Sequence, residues 1–295
     1  MNHDPQNTQQ RSSLPIGIFD SGVGGLTVYR ALHNRLPNER FIYLGDTARV
    51  PYGTKSLATV ERYAIENSSF LASRGIKLLV VACNTASALA LPKIRESIGI
   101  DVVGVIGPGA RKAVALTKSQ AAPKIAVIAT EATVSSGAYA DSIRAASSGA
   151  EILQTACPLF VPLAEENWIE EPETRSIASR YLEEVKRFGP QVLVLGCTHY
   201  PILRKIIQET VGDDVILIDS GEATAEEVEK LLEDKGLGNR EQITYNRERR
   251  LCDDLDHFYV TDAADRFARV AERFLGASPT RLEAIEVYGS DGLET

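Results

Sequence analysis

Two cysteines stand in matching sequence contexts that suit acid–base chemistry. Cys83 lies in the run VVACNT and Cys197 in the run VLGCTH, each at the junction between an apolar strand pattern and a helical pattern. A thiol at the start of a helix lies near the positive end of the helix dipole, which stabilises the thiolate and lowers its pKa. Each cysteine alone could equally be a small buried core residue. The presence of two cysteines in matching contexts favours a functional pair, in which each thiol acts as a base or a nucleophile. Cys157 and Cys252 lack this context, and we expect them to be structural or surface residues.

A carboxylate precedes a glycine-rich turn after the first predicted strand. Asp20 and Ser21 open the run DSGVGG, which a helical pattern follows. The glycines would let backbone N–H groups approach a carboxylate or phosphate, but the run lacks the lysine of a Walker loop and the spacing of dinucleotide sites. Asp20 would repel an anion unless it holds a substrate ammonium or takes a proton. The run therefore indicates a zwitterionic ligand, or else only a tight turn.

Three further segments carry polar side chains that could complete a site. The run GDTARVPYGTKS contains Asp46 and ends at Ser56, a predicted helix cap, and a polar loop of this length is typical of a substrate loop or lid. Glu165 follows a proline-bounded apolar run, although it could simply begin a solvated helix face. His199, two positions after Cys197, could orient that thiol or protonate a bound group near neutral pH.

The elements that must position these side chains alternate between apolar runs and amphipathic stretches. The continuous apolar pattern of strands buried on both faces occurs at 16–19, 41–44, 78–82, 102–105, 125–128, 192–195 and 215–218. The helical patterns between them include 26–36, 56–74 and 222–234. This alternation predicts an α/β fold of mainly parallel sheets flanked by helices, whose ligand sites lie at the carboxyl ends of the strands, where both cysteines fall.

The chain repeats itself weakly, which predicts two similar α/β lobes. Gly107-Pro108-Gly109 is the expected boundary because this triplet breaks both strand and helix, and a return is expected near Asp219-Ser220-Gly221. Residues 243–261 are expected to contain a hairpin. The predicted organisation is a disordered leader at 1–13, a first lobe from 14–107 plus 221–276, a second lobe from 108–220 and a tail at 277–295.

Composition excludes several classes of protein. The 295 residues carry 32 Lys and Arg against 40 Asp and Glu, a formal net charge of −8, which is the wrong balance for wrapping a nucleic acid. No apolar run approaches the length of a membrane span, and the amino end has no export pattern, so we expect a cytoplasmic protein. The 4 cysteines are far apart, which disfavours both a disulfide framework and a structural zinc site.

Five runs in order resemble the cofactor-independent glutamate racemases, within the wider family that includes aspartate racemase. They are FDSGVGGLTV, GDTARVPYGTKS, VVACNTASA, CPLFVPLAEE and LVLGCTHYP. The first begins at Phe19 and the last ends at Pro201. One departure is Gly107, where relatives often carry a charged residue; it touches the expected inter-lobe hinge and leaves the five runs intact.

The resemblance implies two lobes that face one cleft, with one cysteine on each face of the substrate α-carbon. Cys83 would take the proton from D-glutamate and Cys197 would take it from L-glutamate. Asp20 would assist near Cys83, and His199 with Glu165 would assist near Cys197. The residues that match the family's catalytic groups are Cys83, Cys197, Asp20, His199, Glu165 and Asp46, and those that match its substrate binders are Asp20, Ser21, Pro51, Tyr52, Gly53, Asn84, Thr85, Thr198 and His199.

Inversion by proton exchange needs a base on one face of the α-carbon and an acid on the other. The resemblance implies that no cofactor and no metal takes part, so desolvation and preorganised dipoles must stabilise the carbanionic transition state. It further implies L- or D-glutamate as the small-molecule substrate, a homodimer, and D-glutamate for bacterial peptidoglycan as the product.

Three alternatives remain open on the sequence. An aspartate or other amino-acid racemase of the same family would keep both cysteines and differ around the distal carboxylate. A cysteine hydrolase or amidase would use Cys197 as nucleophile and His199 as base, but it leaves Cys83 without a role. A two-lobed amino-acid-binding module would bind glutamate without exchanging the α-proton, and the absence of an export pattern counts against it.

Overall fold

The strands lie in two separate sheets in the computed structural model, which describes residues 11–239 and 249–287. Every strand pairing within these ranges is parallel. Parallel strands need crossover connections, and helices supply them here. The predicted α/β class is therefore confirmed.

The larger sheet has six strands and draws on both ends of the described chain. Its strands are β1 (Ile16–Asp20), β2 (Phe41–Gly45), β3 (Leu78–Val81), β4 (Asp101–Gly104), β9 (His257–Val260) and β10 (Leu282–Ala284). Their spatial order is β10-β9-β2-β1-β3-β4. Residues of β1 and β3 are all buried, as their unbroken apolar sequences require of strands covered on both faces.

The smaller sheet has four strands from one continuous part of the chain. Its strands are β5 (Lys124–Ala129), β6 (Glu151–Ala156), β7 (Val192–Gly196) and β8 (Ile216–Asp219), in the spatial order β6-β5-β7-β8. β7 lies between β5 and β8 and is buried along its whole length. Central strands such as β1 and β7 are where an open parallel sheet presents a ligand site at its carboxyl edge.

Helices cover both sheets. They are α1 (Leu26–Arg35), α2 (Leu57–Ser73), α3 (Asn84–Leu89), α4 (Leu91–Ser97), α5 (Ile106–Leu116), α6 (Glu131–Ser135), α7 (Ala138–Ala146), α8 (Phe160–Glu165), α9 (Pro172–Phe188), α10 (Arg204–Val211), α11 (Ser220–Lys235) and α12 (Ala264–Leu275). Short 3₁₀ helices span Tyr52–Thr54 and Tyr200–Leu203. The predicted cap at Ser56 is confirmed, because its side chain accepts a hydrogen bond from the Thr59 N–H. None of the helices in the described ranges has both the length and the apolar character to cross a membrane.

The triplet Gly107-Pro108-Gly109 does not break the helix as predicted. It lies in the first turn of α5, which begins at Ile106. Backbone N–H groups in the first turn have no partner within the helix, so a proline there removes no helical hydrogen bond. α5 packs against α11, and α11 packs in turn against α1, so these helices lie between the two sheets.

Two further expectations about the chain ends need correction. Within the expected tail, β10 adds a parallel edge strand to β9, and the short three-residue run gave no recognisable pattern. Ser12 of the expected leader is buried, and its carbonyl accepts a hydrogen bond from the Lys77 ammonium at 2.7 Å. The remaining residues of the leader, 1–10, and of the tail, 288–295, lie outside the described ranges.

The described residues of the segment 243–261 do not form the expected hairpin. β9 pairs in parallel with β2 on one side and with β10 on the other, so it has no antiparallel neighbour among the described strands. The strand partners of β9 lie far away in the chain or beyond this segment, so the local sequence did not reveal them. Residues 240–248 lie outside the described ranges.

Candidate active site

Both cysteines lie directly after a central strand, as predicted. Cys83 follows β3 and is the N-cap of α3, where its sulfur accepts a hydrogen bond from the Ala86 N–H at 3.4 Å. Cys197 follows β7, but the chain then forms a 3₁₀ helix that begins only at Tyr200. Their exposures are 5% and 6%. Two nearly enclosed thiols therefore stand at the carboxyl ends of the two sheets.

The pKa of Cys83 moves in the opposite direction to the prediction. Burial, together with the charge of nearby Asp20, raises it to about 12, although hydrogen bonds from Ser21 and the Ala86 N–H lower it in part. The helix terminus favours the thiolate, but the free-energy cost of removing a charged sulfur from water exceeds the stabilisation that the helix dipole provides. Cys83 is therefore a neutral thiol at neutral pH.

Asp20 lies at the end of β1 and is fully buried beside Cys83. Its Oδ2 accepts a hydrogen bond from the Gly22 N–H at 2.9 Å, whereas Oδ1 has no hydrogen-bond donor among the described residues. Burial raises the pKa of this carboxyl, and the charge of His199 lowers it in part. A buried acceptor without a donor is costly, so Oδ1 is poised to accept a hydrogen bond from a ligand.

Asn84, next to Cys83, carries a buried hydrogen-bond donor without an acceptor in the described ranges, which complements the unmatched acceptor on Asp20. The Tyr139 hydroxyl donates a hydrogen bond to its Oδ1 at 2.8 Å. Within the part of the chain that the structure describes, its buried Nδ2 has no acceptor. An unmatched acceptor on Asp20 and an unmatched donor on Asn84 thus flank the same thiol, a pairing that suits a ligand carrying both an ammonium and a carboxylate.

Cys197 belongs to a hydrogen-bonded row with His199 and Glu165. The sulfur lies 3.8 Å from His199 Nδ1, and His199 Nε2 lies 3.1 Å from Glu165 Oε1. Burial alone would lower the pKa of His199, but hydrogen bonds to the thiol and the carboxylate, together with their charges, raise it to about 10. Burial raises the pKa of Glu165, and the histidine and Arg266 outweigh this and lower it. The imidazole is therefore protonated at neutral pH.

The raised pKa of His199 makes the free energy of unfolding decrease as the pH rises above neutral. An unfolded histidine titrates near about 6.5, whereas folded His199 titrates at about 10. Between these values the folded state holds a proton that the unfolded state has lost, so the free energy of unfolding falls as pH rises, by at most about 1.4 kcal/mol per pH unit. Urea unfolding of His199→Gln and of the unsubstituted protein at pH 7 and pH 9 is expected to show a smaller loss for the variant. Equal losses would contradict a protonated His199.

The glycine run explains how the two lobes approach each other. A Cβ at Gly24 would lie 2.3 Å from Thr198 Oγ1 and 2.5 Å from His199 Nδ1. The Thr27 hydroxyl donates a hydrogen bond to the Thr198 carbonyl at 2.8 Å. The glycine at position 24 therefore provides room for Thr198 and His199, a role that the sequence pattern did not indicate.

The loop after β2 also meets the other lobe. A Cβ at Gly53 would lie 3.2 Å from Thr130 Cβ, and the Thr85 hydroxyl lies 3.1 Å from the Thr130 hydroxyl. Tyr52 is buried, whereas Pro51 is exposed at the start of the 3₁₀ helix. Thr130 was not among the expected site residues, because only the three-dimensional contact between lobes distinguishes it.

Asp46 occupies both carboxylate oxygens with protein partners. Oδ2 accepts hydrogen bonds from Tyr52, from Arg49 and, at 3.0 Å, from Asn67, while Oδ1 accepts from Thr261 at 2.9 Å. This carboxylate therefore ties the loop to α2 and to the residue that follows β9. The sequence run named Asp46 and Tyr52 but gave no signal for Asn67 and Thr261.

Helix α12 reaches the Cys197 side from the larger sheet. Arg266 donates to Glu165 Oε2 at 3.1 Å, and Arg273 donates to the Glu165 carbonyl at 3.2 Å. The Phe274 ring packs against the His199 ring at a centroid distance of 6.2 Å with the planes nearly perpendicular. These three residues lay in the segment that the sequence placed in the first lobe without a role in the site.

The other two cysteines are buried and belong to neither arrangement, although Cys157 lies close enough to Cys197 for the two groups to interact electrostatically. The Cys157 carbonyl accepts a hydrogen bond from Tyr200, and the Cys252 N–H donates to Tyr29. Burial raises the pKa of both thiols, that of Cys252 to about 12. No group of three or more His, Cys, Asp and Glu side chains in the described ranges is arranged to hold a metal ion.

Comparison with known proteins decides the family. The family of Asp/Glu/hydantoin racemases matches residues 16–228. The chain belongs to this family. It is 50% identical over 261 residues to a glutamate racemase of Geobacter metallireducens, which covers 88% of this chain and 92% of that relative.

Among solved structures of the Asp/Glu/hydantoin racemase family, the chain is more similar to a glutamate racemase than to an aspartate racemase. A glutamate racemase of Francisella tularensis in complex with D-glutamate matches with a TM-score of 0.83 at 38% identity, over 94% of this chain and 98% of that one. An aspartate racemase of Picrophilus torridus matches with a TM-score of 0.51 at 20% identity, over 75% of this chain and 94% of that one. The second likeness extends to the fold alone.

Proposed function

We propose that the protein is a cofactor-independent glutamate racemase that interconverts L- and D-glutamate by proton transfer between two cysteines. One observation carries the proposal: two buried thiols end central strands of two sheets, and each has its own acid–base partners. Asp20 lies beside Cys83, and the His199–Glu165 pair lies beside Cys197. A hydrolase has no use for the first thiol, whereas inversion of a stereocentre needs one group on each face of the α-carbon.

On one face, Cys83 removes the α-proton from D-glutamate. The raised pKa of the thiol keeps it neutral, so it must lose a proton before it can act as a base. A substrate ammonium near Asp20 brings a positive charge next to the sulfur, which favours the thiolate. Asp20 Oδ1 can accept a hydrogen bond from the ammonium and can also take the thiol proton.

On the other face, Cys197 removes the α-proton from L-glutamate or returns one to the carbanion. A protonated His199 lies beside the sulfur and can resupply its proton. Glu165 holds the ring through Nε2 and keeps Nδ1 directed at the sulfur. The two cysteines exchange roles in the reverse direction.

The remaining predicted residues bind the substrate rather than react with it. Asn84 Nδ2 has no acceptor among the described residues and can donate a hydrogen bond to the α-carboxylate. The other binding residues that we propose are Ser21, Pro51, Tyr52, Gly53, Thr85 and Thr198, and His199 would contact the substrate in addition to its role in proton transfer. Asp46 contributes by fixing the loop of Tyr52 and Gly53, because its oxygens are already engaged by protein donors. In a site closed to water, such fixed donors stabilise the developing carbanion without a cofactor.

The cellular role follows from the same proposal. D-Glutamate is the product that peptidoglycan synthesis would consume, so the enzyme would act in the bacterial cytoplasm on free glutamate. We also propose a homodimer, on the basis of the family resemblance alone.

The deciding experiment uses the purified protein, freed of pyridoxal phosphate, with enantiopure L-glutamate in deuterated water. Optical rotation is expected to decay to zero while NMR shows the α-proton replaced by deuterium. L-Aspartate under the same conditions is expected to change far more slowly. Faster change with aspartate would support the aspartate racemase instead, and glutamate binding without exchange would support a binding module.

A further inference from the structure

Helix α12 packs against α1 and β10 on the larger sheet, yet its side chains reach the second lobe. Arg266 pairs with Glu165, Arg273 holds the backbone of the same residue, and Phe274 packs against His199. The Cys197 side of the site is therefore contacted from outside by a helix that belongs to the opposite lobe.

The two oxygens of Glu165 have different partners. Oε1 contacts His199 Nε2 at 3.1 Å, and Oε2 contacts Arg266 at 3.1 Å. A carboxylate that is held at both oxygens cannot rotate about its last bond, so its hydrogen bond fixes the plane of the imidazole. That plane decides whether Nδ1 points at the Cys197 sulfur, which lies 3.8 Å away.

We propose that Arg266 is a positioning residue for proton transfer at Cys197, acting through Glu165 and His199. This inference rests on the proposed racemase function. The contact joins residues of the two lobes, so the geometry of one thiol depends on a side chain from the lobe that carries the other.

The effect of Arg266 falls on catalysis rather than on stability. Its side chain is 57% exposed, and ion pairs in such positions contribute little to folding. Misplacement of a reacting group by a fraction of an ångström, in contrast, lowers rates strongly. The Arg266→Met variant is therefore expected to melt within a few degrees of the unsubstituted protein, with kcat/KM lower by about tenfold and KM nearly unchanged.

Isotope effects show which thiol is affected. The equilibrium constant between two enantiomers is one, so kcat/KM falls equally in both directions and cannot identify the impaired step. Deuterium at the α-carbon of L-glutamate is removed by Cys197, and deuterium at that of D-glutamate is removed by Cys83. In Arg266→Met, the isotope effect on kcat/KM is expected to rise with α-deuterated L-glutamate and to fall with α-deuterated D-glutamate.

Two further variants complete the experiment. Arg266→Lys keeps a charge that can pair with Glu165 and is expected to restore most of the rate. Arg269→Met removes the same charge from an exposed position of the same helix and is expected to leave rate and isotope effects unchanged. Isotope effects that stay equal to those of the unsubstituted protein in Arg266→Met would overturn the inference. Absence of exchange with either enantiomer in the unsubstituted protein would overturn the racemase function itself.

Discussion

Replacing Cys83 or Cys197 by serine is expected to lower kcat for racemisation by about a thousandfold or more while the fold survives. A positioned acid or base contributes about 10²- to 10⁴-fold to rate, and a serine hydroxyl is far less acidic than a thiol. Both sites are nearly enclosed, and the sulfur-to-oxygen change keeps the shape of the side chain. Optical rotation with each enantiomer measures the loss, and circular dichroism in the far ultraviolet tests the fold.

Deuterium exchange makes this prediction specific to each face. With Cys83→Ser in deuterated water, Cys197 can still remove and return the α-proton on its own face, so L-glutamate is expected to gain deuterium without inverting. Cys197→Ser is expected to show the mirror pattern with D-glutamate. Cys252→Ala removes a buried thiol whose electrostatic partners are Asp256, Asp253 and Tyr29 rather than either reactive thiol, and it serves as the control that keeps racemisation. Normal turnover by either serine variant would rule out the two-cysteine mechanism.

A single methyl group at Gly24 is expected to reduce activity strongly, although less than the loss of either thiol. The added Cβ would overlap Thr198 Oγ1 and the His199 ring, both within 2.5 Å, and Glu165 restrains that ring from the other side. Gly24→Ala must therefore move His199 away from Cys197, with an expected loss of about 100-fold in kcat/KM. Overpacking is expected to lower the free energy of unfolding by about 1–3 kcal/mol.

The matched control for this substitution is Gly99→Ala. A Cβ at Gly99 has open space around it, so this variant should keep both activity and stability. Activity assays and urea unfolding of the two variants separate a local displacement from a general effect of alanine. Full activity in Gly24→Ala would mean that the close approach of Gly24 to His199 has no part in catalysis.

Sequence periodicity was sufficient to predict the parts of the fold that depend on burial. Unbroken apolar runs predicted β1, β3, β5 and β7, because strands covered on both faces need such residues along their whole length. The alternation with helices then placed Cys83 and Cys197 at strand ends. Their matching contexts, and the resemblance of both runs to a racemase family, identified the two thiols as the candidate acid–base pair.

Features that depend on contacts between distant segments could not be predicted in this way. The pKa of Cys83 rises because the surrounding lobes exclude water, and the local pattern contained only the helix dipole that opposes this effect. Arg266 and Glu165 are 101 residues apart in sequence. Gly107 to Gly109 resembled a break because glycine and proline disfavour helix interiors, whereas the structure uses them in a first turn.

The discontinuous origin of the larger sheet has a consequence for synthesis on the ribosome. β5 to β8 follow one another along the chain, so the smaller sheet can pair as soon as it emerges. β2 must wait for β9, which follows all of the smaller sheet, before its outer edge is paired. Helix α12 is made later still. A nascent chain therefore contains both thiols well before the helix that holds Glu165 is synthesised. During this interval the larger sheet is incomplete, and chaperones or proteases can reach its unpaired edge.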